Sequence, residues 1–376
     1  MNDHLVTIAI NNFNYGRFVG DAIESALAQH YPHVEVIVVD DGSTDDSHRV
    51  IHRYRDRVLT LFKENGGMAS THNAAFERAR GDVVIFLDAD DTLLPSAAEQ
   101  AARGATAGVS KVHWPMWVID AEGRRSHVEP DEALPEGDLR ELVLERGPYS
   151  HRVAHMSGNA WSRGFLETAL PMPEETFRTG TDSYLSTLAP LEGAVRAVRE
   201  PQAQYRIHGR NDWACDSVVA HVRRILGTYP TLVDALVARL ASDGVDVNPE
   251  LWKERNEYYG WLVRTDAAVK EAEAVVPRGA AYVLVDDDEW GASSNGVLPG
   301  RTVVPFLVRD GLYWGPPGDD EAAVAALEEA HGAGAEIFVF PWFTEWWLDH
   351  YLGFGEALRA LFPNERRGDH LLSFAA

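Results

Sequence analysis

The chain has 376 residues, 45% of them hydrophobic, with 11 tryptophans, which suits a globular protein of two or three domains. Acidic side chains outnumber basic ones 58 to 34, a formal charge of −24, and such a surface repels nucleic acid and anionic lipid. One cysteine, Cys215, excludes an intrachain disulfide and a cysteine-based zinc site; with no basic leader and no apolar run approaching ~20 residues, a soluble cytoplasmic protein without a membrane span is expected.

Leu5 to Ile10 reads as a buried strand that ends in the loop Asn11-Asn-Phe-Asn-Tyr-Gly16. Val19, Ala22, Ile23, Ala26 and Leu27 recur at helical spacing to about His30, and Pro32 closes that helix. Val34 to Val39 is a second strand that breaks into Asp40-Asp41-Gly42-Ser43-Thr44-Asp45, where Ser43 or Thr44 can cap the next helix. Val58 to Phe62 is a third strand, and Met68 to Arg80 a helix. Val83 to Leu87 is a continuous apolar run, the pattern of a strand buried on both faces, and it ends in Asp88-Ala-Asp90-Asp91. Taken alone, these carboxylates are an acidic turn in water. At the mouth of a buried strand they call for a divalent cation that in turn holds a phosphate-bearing ligand, because desolvating like charges together is costly. Strands alternating with helices predict a parallel, doubly wound sheet, whose ligands bind beyond the carboxyl ends of the strands.

Lys111 to Asp120 is expected as a strand, with helices around Leu139 to Glu145, Phe165 to Ala169 and Asp182 to Leu188. Val195 to Val198 and Gln204 to Ile207 are short strands. Residues 214–274 read as two long helices, the second capped by Asn248-Pro249, and they offer a surface for a homodimer. A second βα pattern comes next: strands at Ala281 to Val285, Arg301 to Val308 and Glu336 to Phe340, and helices from Asp320 to Ala330 and up to Phe362. The expected organisation is therefore a domain at 1–213, a helical linker region at 214–275 and a small α/β module at 276–376. Trp290, Trp314, Trp342, Trp346 and Trp347 of that module either stack on a ligand or build a small core. Asp286-Asp-Asp288 reads as a solvated loop.

Five segments in order carry a resemblance: Thr7 to Tyr15, Ala22 to Gln29, Val38 to Asp45, Asn65-Gly-Gly with His72-Asn-Ala74, and Gly81 to Asp91. Together they resemble the family-2 glycosyltransferases, whose fold is the GT-A nucleotide-sugar-binding (Rossmann-like) α/β domain; nothing comparable covers 214–376. The resemblance implies an inverting glycosyltransferase, a hexosyltransferase or related enzyme. It would use a UDP- or dTDP-sugar donor, Mn²⁺ or Mg²⁺, and a soluble acceptor that is a small molecule, glycan or peptide. It assigns Asn12, Asn14, Tyr15 and Asp40 to the base and ribose, Asp88 to the ribose or metal, and Asp90 to the metal bridging the diphosphate. Asp182 stands where the family keeps its general base, and Thr181 replaces the acidic residue that usually precedes it; alone, Asp182 is a helix cap. Tyr205-Arg-Ile-His208 resembles a segment folding over the diphosphate, which makes His208 a metal ligand and Arg206 or Arg210 a diphosphate contact. The Q-x-x-R-W signature of processive synthases is absent, which favours transfer of single sugars. The competing reading is a non-catalytic nucleotide-sugar-binding or scaffolding protein.

Overall fold

The computed structural model describes residues 4–209, 211, 217–291, 297–309 and 312–376. Arg210 and Cys215 lie outside the described residues. The chain divides into two compact units, Met1–Asn211 with Thr228–Asn256, and Asp212–Gly227 with Glu257–Ala376.

In the first unit the elements are β1 (Val6–Asn12), α1 (Val19–Leu27), β2 (Val34–Asp40), α2 (Ser47–Ile51), β3 (Leu59–Phe62), α3 (Met68–Arg78), β4 (Val83–Asp88), β5 (Thr92–Leu93) and α4 (Ala97–Gly104). Then come β6 (Val109–His113), β7 (Met116–Ile119), β8 (Arg125–Glu129), α5 (Arg140–Arg146), β9 (Asn159–Ser162), α6 (Arg163–Ala169), α7 (Thr181–Glu192), β10 (Ala194–Ala197) and β11 (Ala203–Arg206). The main sheet has the order β10-β6-β9-β4-β1-β2-β3. β4, β1, β2 and β3 are parallel neighbours, as their Val- and Ile-rich runs predict, and each is followed by a helix or turn on the same edge. The sheet is not wholly parallel: β9 runs antiparallel between β4 and β6. The single strand expected from Lys111 to Asp120 is two, β6 and β7, because Pro115 has no N–H to give a ladder. A second sheet, β5-β11-β7-β8, carries the chain back over the carboxyl end of β4.

The apolar residues fill both faces of the main sheet. On one face Ile8, Ile10, Ile85 and Leu87 meet Val19, Ala22, Ile23 and Ala26 of α1, whose i, i+3, i+4, i+7 spacing makes a continuous stripe. On the other, Ala9, Val84 and Phe86 meet Trp161, Leu185 and Leu188, with Leu232, Leu236, Leu240 and Trp252 completing the layer. Trp252 donates from Nε1 to Leu144 O at 2.8 Å. The helices expected over 214–274 are Val218–Ser242, Pro249–Arg255 and Glu257–Val275, and the Asn248 side chain caps the second.

The second unit holds a five-stranded sheet in the order Thr302–Val303, Ala281–Leu284, Ile337–Pro341, Leu371–Ala375, Asn364–Arg367. The first three are parallel, Leu371–Ala375 is antiparallel to its neighbour Ile337–Pro341, and Asn364–Arg367 is antiparallel to Leu371–Ala375. Of the strand expected from Arg301 to Val308, only Thr302–Val303 and the hairpin piece Val308–Arg309 form, with Pro305 between them. Trp290 and Trp347 are buried core residues, while Trp314 and Trp346 are exposed. Asp286-Asp-Asp288 is no solvated loop. Asp286 is buried and accepts from Trp290 N at 3.0 Å, and Asp287 Oδ1 accepts from Tyr313 Oη and Trp347 Nε1. Among the described residues no helix is long and apolar enough to cross a membrane.

Ile85, fully buried at the centre of β4, is expected to hold the strand that carries the carboxylates. Ile85→Ala should cost about 3 kcal/mol, lost transfer energy plus a cavity, read as a lower urea midpoint at unchanged slope.

Candidate functional site

The register of the parallel strands places the polar residues. β1 pairs with β4 so that Asn11 lies beside Asp88, and with β2 so that Asn12 lies beside Asp40. Asn11 Nδ2 donates to Asp88 Oδ1 at 3.0 Å, and Asn12 Nδ2 to Asp40 Oδ2 at 2.7 Å. Two polar clusters therefore form side by side on the carboxyl edge of the sheet.

The first cluster is built on β2. Asp40 is wholly buried, and its Oδ1 accepts from Ser43 N at 2.9 Å and lies 2.9 Å from His48 Nε2. Asn14 adopts a left-handed conformation, φ 59°, that turns its Oδ1 towards Thr44 N at 2.8 Å and so joins the β1 and β2 loops. Asp41, to which the sequence alone assigns no role, accepts from Lys63 Nζ, Gly66 N and Gly67 N at 2.7 to 2.9 Å and shapes the loop after β3. Among the described residues the buried Oδ1 of Asn12 has no hydrogen-bond partner.

The second cluster is the carboxylate turn after β4. Burial pushes the Asp88 carboxyl up to about 7, and the charges of Asp90 and Asp182 add to the rise. Asp91, 1% exposed, is raised well above the usual carboxylate range by burial and by Asp90 and Asp88, and among the described residues its Oδ2 has no hydrogen-bond partner. β5 pairs antiparallel with β11 and delivers Arg206 and His208 to this turn. His208, its side chain buried, sets Nε2 at 3.1 Å from Asp90 Oδ2, and Asn211 Nδ2 donates to the same oxygen at 3.2 Å. Phe18 stacks on the His208 ring at 4.8 Å and Tyr15 meets it edge-on at 5.4 Å. Among the described residues no group of three or more His, Cys, Asp or Glu is arranged to hold a metal ion; Asp90 and His208 touch, and Asp88 is turned to Asn11.

Arg206, expected at the diphosphate, is instead a buried brace. Its Nε donates to Asp90 O at 2.8 Å, Nη1 to Ala121 O and Nη2 to Asp21, its backbone N–H goes to Asp91 Oδ1, and Phe18 lies under the guanidinium. Three of its five donors are thus engaged by protein groups, and that to Asp90 O, with the backbone bond to Asp91, fixes the carboxylate turn.

Asp182 is the second residue of α7, which starts after Gly180 in the left-handed region at φ 72°. Its Oδ1 accepts from Ser183 N at 2.8 Å. Burial raises the carboxyl, while His155 and Lys111 pull it back. Sequence reasoning missed both of these bases. His155 lies parallel to Tyr205 at 4.4 Å and 3.3 Å from Glu129 Oε2. Burial alone would lower its imidazole, yet Glu129, Asp182 and Asp88 raise it. Lys111 and His113 occupy alternate, inward positions of β6, and a lysine inside a short strand flanked by valines was the available signal.

The structure thus brings Asp88, Asp90, His208 and Asp182 into electrostatic reach, puts Asn12, Asn14 and Asp40 in the adjoining cluster, and sets Tyr15 between them. A cavity of 640 Å³ lined by Glu35, Arg57, Arg78 and Arg80 opens at the amino ends of β2 and β3, about 20 Å of strand away from Asp40.

Known proteins give this arrangement a family. The family described as Glycosyl transferase family 2 matches residues 7–157. An uncharacterized glycosyltransferase of Nostoc sp., alr2836, is 32% identical over 217 residues, 55% of this chain and 66% of that protein, so the chain spans just under two thirds of it. The succinoglycan biosynthesis protein ExoO of Rhizobium meliloti is 30% identical over 250 residues, 64% of this chain and 70% of its own. The structure of S. aureus TarS 1–349 in complex with UDP-GlcNAc superposes with a TM-score of 0.51 at 17% identity, over 73% of this chain and 76% of that one.

The geometry makes two outcomes measurable. Arg206→Ala should lower unfolding free energy by about 3 kcal/mol without any nucleotide present, because Asp90 O, Ala121 O and Asp21 lose their partner; an unchanged midpoint would mean the guanidinium serves a ligand alone. Asp88 binds its proton more tightly folded than unfolded, so its ionisation opposes folding as pH rises from 3.8 to about 7. In metal-free buffer Asp88→Asn should therefore gain about 2 kcal/mol at pH 8 and little at pH 4, and equal gains in the two denaturation curves would contradict this.

A parallel βαβ core with its polar loops and carboxylate turn on one edge, matched in sequence by these relatives and in fold by TarS, places the chain in glycosyltransferase family 2, with a first unit of GT-A fold.

Proposed function

We propose that the chain is an inverting glycosyltransferase that moves a sugar from a UDP- or dTDP-sugar to a soluble acceptor, with a divalent cation and with Asp182 as general base. The observation that carries this reading is the pairing of two acidic sites: the Asp88-Asp91 turn and Asp182 arise from separate elements, yet the charge of Asp182 reaches Asp88 and raises it. A uridine donor is in keeping with the UDP-GlcNAc that the TarS structure holds.

The residues fit a cation. Asp91 Oδ2 is buried without a hydrogen-bond partner among the described residues, crowding raises Asp88 and Asp91, and two carboxylates with an imidazole suit Mn²⁺ or Mg²⁺. Asp90 and His208 would hold it, with Asp88 as a further ligand. Bound there, the cation supplies positive charge to the departing diphosphate. The chain's own groups do the rest. Asp40, Asn12 and Asn14 make a polar socket for the base and ribose, and the unpartnered Asn12 Oδ1 is a ready acceptor there. Tyr15 links the socket to His208. The Asp182 carboxylate, kept in place by Ser183 N, takes the proton of the acceptor hydroxyl as it attacks the anomeric carbon from the face opposite the diphosphate.

A thermal-stabilisation panel of UDP- and dTDP-sugars with Mn²⁺ picks the donor, since the tightest ligand stabilises most. With that donor, Asp182→Asn should cut transfer about 10³-fold and leave donor affinity by calorimetry unchanged. Full activity in that variant would overturn the assignment of the base.

A further inference from the structure

Lys111 is a fully buried side chain of the main sheet. Strand alternation sends it, with His113, to the interior. Its Nζ donates to Ser186 Oγ at 3.0 Å and stands 5.2 Å from the centre of the Trp161 ring. An ammonium has three donors, and among the described residues this hydroxyl is its one hydrogen-bond partner. Such a group is a net cost to the fold, which a methionine of similar shape would remove. The fold alone therefore gives no reason for a lysine here.

The reason lies one turn along α7. Ser186 and Asp182 are four residues apart on that helix, so their side chains are neighbours about 5–6 Å apart at Cβ. The ammonium that grips Ser186 is thereby held within a helical turn of Asp182. We propose that Lys111 is a positioning residue for Asp182: anchored on Ser186, its buried charge keeps the carboxylate ionised and ready to accept a proton. This rests on the reading of Asp182 as the base.

Other titratable groups surround the pair. His113 on the same strand and His151 on the 147–155 segment are buried and driven down to about 2 and about 3, so both are neutral near pH 7. Tyr149 is raised and also neutral. His155 faces Asp182 from the Glu129 side, and Asp88 faces it from β4. Burial brings Lys111 down to about 7 and Asp182 opposes that fall, the one opposite charge acting on it. The two groups therefore favour each other's charged forms.

The test reads both partners by carbon-13 NMR, with the full chain labelled at the Asp carboxyl or the Lys ε-carbon. Substitution at position 182 assigns the Asp182 signal, and substitution at 111 the lysine signal. Lys111→Met should move the Asp182 midpoint up by about one pH unit, and Lys111→Arg should bring most of it back. Coupling is reciprocal, so Asp182→Asn should lower the Lys111 midpoint by a similar amount. That second arm uses an isosteric substitution and stands if Lys111→Met fails to fold. Superimposable titrations in either arm overturn the proposal, while an inactive Asp182→Asn enzyme would leave the proposed function standing. An Asp182→Asn enzyme that still transfers sugar overturns the base assignment and with it the purpose given to Lys111.

Discussion

Three carboxylates at the end of one buried strand are the constraint that the first unit is built around. Asp88, Asp90 and Asp91 follow an apolar run closed on both faces, and burial with mutual repulsion raises Asp88 and Asp91. The chain answers with long-range partners: Asn11 through strand register, Ser157 from the 3₁₀ turn before β9, Arg206 and His208 through the β5–β11 pairing, and Asn211 just beyond. Only one of these is an obligate cation, and Arg206 divides its donors between Asp90 O, Ala121 O and Asp21. The turn is thus geometrically fixed and electrostatically unfinished. That combination suits a site that receives a cation with its ligand.

What was legible in the sequence is what local pattern encodes. β1, β2 and β4 are runs of Val and Ile that stop at polar residues, and α1 shows its stripe at helical spacing. These elements need no partner to be recognised. β9 is four residues, Asn159–Ser162, and joins β4 antiparallel some seventy residues downstream; a strand that short is defined by its neighbours, not by its own period. The terminal hairpin Asn364–Arg367 with Leu371–Ala375 escaped for a related reason, since the first of its strands is exposed along its whole length and carries no apolar alternation.

Within the site, the same division holds. The acidic clusters stand out because adjacent carboxylates after an apolar strand are costly wherever they occur. Arg206 did not show its role, because its partners lie at residues 21, 90 and 121, and a guanidinium near a phosphate motif looks like a ligand until its protein partners are seen. His155 is a single imidazole in a stretch without periodicity; only the fold sets it against Tyr205, Glu129 and Asp182.

Burial acts in the same direction on every carboxyl here, so the difference between them comes from neighbours. Asp88 and Asp91 are crowded by other acids, which drive them further up. Asp182 is flanked by His155 and Lys111, which draw it down against the same desolvation. One fold therefore keeps two kinds of acidic site a short distance apart. One is crowded by like charges; the other has an imidazole and an amine beside it on protein side chains, and both draw its carboxyl down. All three carboxyls end above the usual carboxylate range, and it is the sense in which their neighbours act that sets them apart. The separation here depends on which strand or helix delivers each neighbour: β1 and β11 to the carboxylate turn, β6 and the segment before β9 to α7.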